Sequence, residues 1–216
     1  MFRRRKDIDE PAADGADAAA LDPAPEDDES AAPDVRRAGP FDIDEIDDDV
    51  QRVDLGSLLV TPQADREVRI QVDETTNVVS SVLIAGPNGA LELRAFAAPR
   101  HGDLWSASRE SIASETAQRG GTATEQEGRF GPELVVQLAV QLPDGRTAMQ
   151  PQRVVGVNGP RWMLRATFLG APAERPDAVD AWNDTLASVV VRRGAQAMPP
   201  GDALPLTLPP GARQTG

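Results

Sequence analysis

Trp162, Leu164, Ala166 and Phe168 stand at every second position of the stretch WMLRATFLG, residues 162–170. Only a β-strand with one buried face turns such an alternation into a continuous apolar surface. Immediately upstream, Val154, Val155 and Val157 run into Asn158-Gly159, the dipeptide that supplies the positive-φ pair of a two-residue hairpin turn. Further upstream Leu134, Val136, Leu138, Val140 and Leu142 alternate without a break, and Pro143-Asp144-Gly145 turns the chain into Arg146–Val157. Three strands joined by short turns form a meander, so this part of the sheet is antiparallel.

The same reading carries through the chain. Val53, Leu55 and Leu58–Val60 form a first short strand, and Val68, Ile70 and Val72 alternate across a second, Glu67–Asp73. Val78–Ala85 and the alternating Leu91, Leu93 and Ala95 flank Gly86-Pro87-Asn88-Gly89, which makes them a hairpin. Over Asp103–Gly121 the period changes: Leu104, Ser108, Ile112 and Thr116 fall four apart with Trp105 beside them. Asp103 can cap that helix and Gly120-Gly121 can stop it. Thr122–Glu127 is polar and suits an exposed edge strand. A second helix follows Pro176, with Ala178, Val179, Trp182, Leu186 and Val189 on one stripe, and should cover the face that carries Trp162 and Phe168. The expected fold class is α+β, a largely antiparallel sheet of about seven to nine strands with two packing helices.

Charge divides the chain. Residues 1–50 hold 6 Arg and Lys against 17 Asp and Glu, whereas residues 51–216 hold 16 against 18. Residues 1–40 have almost no large apolar side chain and are expected to be a disordered acidic tail. Residues 41–51 read as an acidic linker or docking segment in which Phe41, Ile43 and Ile46 form a sticky edge for a partner. Residues 52–195 make the single α+β domain, and 196–216 a loosely packed tail rich in Pro and Gly. The acidic spacing around Phe41–Val50 does not make a calcium loop, because no Gly sits at the sharp turn and no Glu closes it. Arg3–Lys6 is not followed by the apolar stretch of a signal peptide, and no segment has the roughly 18 apolar residues of a membrane helix. With no cysteine either, a cytoplasmic protein is expected.

Recognisable chemistry is sparse. His101 is the single histidine; a catalytic use would orient it with Asp103 and take Ser106 as nucleophile, but G-x-S-x-G is absent and a surface loop is the simpler reading. The chain has neither the Cys nor the His for a zinc site, and no glycine-rich turn carries the residues of a phosphate loop, so no metal or cofactor is expected. The carboxylate pairs Glu125/Glu127 and Asp180/Asp184 read as solvated faces. Arg153, Arg161 and Arg165 are candidates to face a partner, because Arg is favoured at interfaces for its multidentate fork; a solvated sheet face with cross-strand pairs is the alternative. A near-neutral domain with 4% aromatics is not expected to bind nucleic acid directly.

GPFDIDE (39–45), RVDLGSLLVTP (52–62) and VNGPRWMLRATFLG (157–170) resemble segments of an uncharacterised actinobacterial family, a domain of unknown function whose most specific part here is GPRW. The resemblance implies no activity, cofactor or catalytic residue. It does imply genes placed near a dUTP-hydrolysing enzyme and a small OB-fold nucleic-acid-binding protein. The order of elements is similar to the fold of photosystem and Ran-binding accessory proteins. The function expected is a non-catalytic binding or adaptor module with a protein partner. An enzyme of unrecognised type, or an accessory protein in nucleotide or nucleic-acid metabolism, stays open.

Overall fold

The computed structural model describes residues 39–73, 78–141 and 144–208. Residues 1–38, on which the expectation of a disordered acidic tail falls, lie outside them. Strands are β1 (Phe41–Asp42), β2 (Val53–Asp54), β3 (Leu58–Val60), β4 (Glu67–Asp73), β5 (Val78–Gly86) and β6 (Gly89–Ala97). After helix α1 (Leu104–Gln118) come β7 (Thr122–Gly128), β8 (Gly131–Gln141), β9 (Thr147–Gly159) and β10 (Trp162–Gly170). Two further helices, α2 (Ala171–Glu174) and α3 (Val179–Ala187), precede β11 (Val190–Val191). Seven strands form one antiparallel sheet in the order β4-β5-β6-β10-β9-β8-β7. The polar β7 lies at its edge, as its sequence predicts.

Both faces of this sheet are used, and they carry different things. On the inner face Leu91, Leu93, Val155, Val157, Trp162, Leu164 and Phe168 pack with Trp182 and Leu186 of α3 in one buried cluster. The outer face buries Trp105 of α1 against Leu134, Val136, Val154 and Met163 in a second. The helix starts where Asp103 accepts from the Ser106 amide at 2.9 Å. It ends in a Schellman arrangement, with Gly120 at φ 76° and the Gly121 and Gly120 amides donating to Thr116 O and Ala117 O.

The structure departs from the sequence reading in several places. There are two sheets, not one: β1, β11, β3 and β2 make a second, four-stranded mixed sheet, in which β1 runs parallel to β11. Its reason is coverage, since the nine residues of α3 are too few to bury the inner face. Leu55, Leu58, Val60 and Val191 complete that core from the small sheet. Among the described residues there are also three α-helices instead of two, α2 being a single turn.

The segment 41–51 is no free linker at its start. Phe41 and Asp42 pair with Val190 and Val191, and Asp42 is 5% exposed. The stretch beyond 195 is not loose throughout: Leu204 is buried and Leu206 packs on the same core. Ala203 and Leu206 bridge to Phe96 and Gly56.

The β9–β10 turn is Pro160-Arg161, not Asn158-Gly159. Trp162 pairs with Gly159 and Met163 with Asn158, so the dipeptide lies within the ladder. Pro160 suits the first corner of a type II turn, and Arg161 takes the positive φ, 61°, at the second. Gly159 is needed for space: a Cβ there would collide with the Trp162 indole. Gly156 makes the same room for Trp105 on the opposite face.

Candidate anion-binding site

The central strands β6 and β10 are antiparallel neighbours, and their register places Arg165 directly opposite Arg94 and Thr167 opposite Glu92. Alternation sends Leu91, Leu93, Leu164 and Ala166 inward, so Glu92, Arg94, Arg165 and Thr167 all stand on the outer face. Like charges directly across a ladder are destabilising. A structural arrangement would offset them with carboxylates, yet neither guanidinium has a hydrogen bond or ion pair among the described residues. The buried Arg94 Nε is left without a partner.

Helix α1 packs mainly over β7, β8 and β9, and Arg94 of β6 and Arg165 of β10 stand half-buried on the same outer face. Helix and sheet together line a cavity of 460 Å³ whose polar wall includes Arg94, Arg165, Arg119, Glu115, Gln152 and Thr167. The Phe96 ring holds both cations in place, with Arg165 Cζ 5.2 Å and Arg94 Cζ 5.7 Å from its centroid. Burial and then the Arg94 charge lower the Arg165 pKa, against the pull of Glu92 and Glu115. An arginine so lowered is still protonated at neutral pH. The arrangement therefore presents two poorly solvated, permanently cationic forks on one patch. Chemically it can hold an anion, because such forks bind carboxylate or phosphate through paired N–H donors.

The other candidates fall elsewhere. Arg153 is buried and cannot face a partner. Its Nη2 donates to Asn183 Oδ1 at 2.6 Å, its Nη1 lies 3.5 Å from Glu133 Oε2, and its Cζ is 4.0 Å from the Phe168 centroid. The missed signal was phase: Arg153 shares the inward parity of Val155 and Val157. Arg161 is exposed in the turn and does not start the strand. Phe41, Ile43 and Ile46 are each half-buried.

A second cavity, of 490 Å³, is lined by Arg100, His101, Asn158, Gly159, Pro160 and Arg161. It does not assemble a catalytic trio. Asp103 accepts from the Ser106 hydroxyl at 2.5 Å and from Asn158 Nδ2 at 2.7 Å, so its carboxylate serves the helix start and not His101. Among the described residues no cluster of three or more His, Asp or Glu is placed to hold a metal ion, and no helix is long and apolar enough to cross a membrane.

Sequence reasoning singled out Arg165 but missed Arg94, Glu115, Arg119, Gln152 and Thr167. These come from three strands, a helix and its C-cap, and only strand order and register bring them together. No curated protein matches the chain. The family model described as Protein of unknown function (DUF3710) does match, over residues 39–215, and the chain belongs to that family.

Proposed function

We propose that this domain is a non-catalytic, cytoplasmic binding or adaptor module with a protein partner, and that Arg94 and Arg165 receive an anionic group from that partner. The observation that carries the reading is the in-register arginine pair on the outer face of β6 and β10, neither guanidinium held by a hydrogen bond or ion pair among the described residues. A like-charge pair with no hydrogen bond or ion pair of its own to offset the repulsion is the usual mark of a functional patch. The order of elements, similar to that of photosystem and Ran-binding accessory proteins, is in keeping with an accessory role, and absence of cysteine suits a reducing compartment. The test compares wild type with Arg94→Gln/Arg165→Gln as tagged baits in the native cell. A protein retained by wild type and lost from the equally folded double variant supports the reading. Identical retention sinks it.

A further inference from the structure

Resting on that reading, we infer that the anion taken by the Arg94–Arg165 pair is a phosphate monoester. Donor number and charge make the argument. Each guanidinium offers five N–H donors in a fixed fork, whereas a carboxylate has about four lone-pair sites and a single charge. One carboxylate satisfies one fork bidentately and leaves its neighbour as it was. A phosphate monoester brings three terminal oxygens and a charge of about −1.5 to −2 at neutral pH, enough for both forks.

The rest of the cavity agrees. Arg119, the C-cap of α1, lines the same cavity, and Thr167, Gln150 and Gln152 add neutral donors to its wall. Glu92 and Glu115 lie at the same wall and bear on Arg165 electrostatically, which disfavours a second anion and limits the site to one phosphate. A volume of 460 Å³ falls within the roughly 300–1,000 Å³ of small-ligand sites, room for a phosphorylated side chain or a small sugar phosphate. A phosphorylated side chain is the source that a protein partner would supply.

The ligand itself supplies a signature. A monoester loses its second proton near pH 6, so its affinity should rise between about pH 5 and 7.5, where that of a single carboxylate, already ionised, stays nearly flat. The charged groups facing the pair are Glu92, Glu115 and Arg119, and the chain's only histidine lines the other cavity.

Calorimetric titration of the full chain with N-acetyl-O-phosphoserine amide, ribose 5-phosphate and succinate tests this. Expected is saturable binding of at least one ester, stronger at pH 7.5 than at 5.5, and weakened at least about tenfold in Arg94→Gln and in Arg165→Gln. Arg94→Lys, which keeps the charge and loses the fork, should weaken it too, while Arg69→Gln, on β4 outside the cavity, should not. Tighter phosphoserine than sugar phosphate identifies a protein source, and the reverse a small-molecule source. Succinate binding as tightly as either ester overturns the inference, yet leaves the anion-receiving module standing. Absence of ester binding, or binding indifferent to both Gln variants with unchanged circular dichroism, overturns it outright; the bait comparison then decides the module separately.

Discussion

The indole Nε1 of Trp162 donates to Asp42 Oδ2 at 2.5 Å, a buried hydrogen bond between residues 120 positions apart in the chain. It ties the start of the family region to the middle of the large sheet. Asp42→Ala strands that N–H in the core and should cost about 1–3 kcal/mol. Trp162→Ala removes the fully buried ring as well and should cost about 3–5 kcal/mol, close to the whole stability of a small domain. Urea midpoints of the two variants check the order; an unaffected Asp42→Ala would mean that the segment does not seat.

Arg165→Gln should leave stability unchanged or raise it. The substitution removes a charge that faces Arg94 across the ladder and has no hydrogen bond or ion pair among the described residues. Relief of a like-charge cross-strand pair is worth roughly 0.2–1 kcal/mol. The same denaturation series reads it, and a loss above about 1 kcal/mol would show that Arg165 is structural.

Glu133 and Arg153 should behave in the opposite way. Both side chains are almost fully buried, and Gln126 Nε2 also donates to Glu133 Oε1 at 2.8 Å. Burial lowers the Arg153 pKa and Glu133 partly offsets that. Glu133→Ala leaves a buried cation and should cost about 3–5 kcal/mol, whereas Glu133→Leu/Arg153→Met should cost far less than the single change. Equal losses in the two variants would deny that the charges depend on each other.

Gly159→Ala tests the turn. A methyl group there meets the Trp162 indole, so overpacking of about 1–3 kcal/mol is expected. Arg161→Gly relieves the positive φ at the real corner and should be neutral or mildly stabilising, by at most about 1 kcal/mol. Thermal unfolding midpoints of both variants would reverse in order if Asn158-Gly159 were the turn.

Asp103 predicts a pH dependence. Partial burial raises its pKa, but hydrogen bonds from the Ser106 hydroxyl and amide and from Asn158, with the Arg109 charge, outweigh that and hold it below the usual carboxylate range. A depressed folded-state pKa gives stability that is fully present above the unfolded value, near 3.9, and fades as pH falls through the folded one. Asp103→Ala should therefore be less stable than wild type by about 0.5–2 kcal/mol at pH 7, the gap narrowing below about pH 4. A gap constant from pH 7 to pH 3 would remove the charged cap from the account.

Much of the fold was legible because alternation and turn chemistry are local. The parity of Leu134 to Val140, the period of α1 and its Asp103 and Gly120 ends all read directly from neighbouring residues. Coverage was not legible. Nothing near Phe41 or Leu204 says that the inner face exceeds what α3 can bury, so their docking is visible only with the sheet assembled. Asn-Gly misled for a related reason: its conformational licence was real, but the Trp162 ring needed the glycine for room.

What the sequence alone determined is the α+β class, the antiparallel meander of β8, β9 and β10 and the two main helices. Each follows from side-chain periodicity over a few residues. Tertiary structure alone decided that Arg94 faces Arg165, that Arg153 is buried against Glu133 and Phe168, and that α1 packs mainly over β7, β8 and β9. Strand order and register bring residues 71 positions apart in the chain onto one patch, and no local pattern encodes which strand lies beside which.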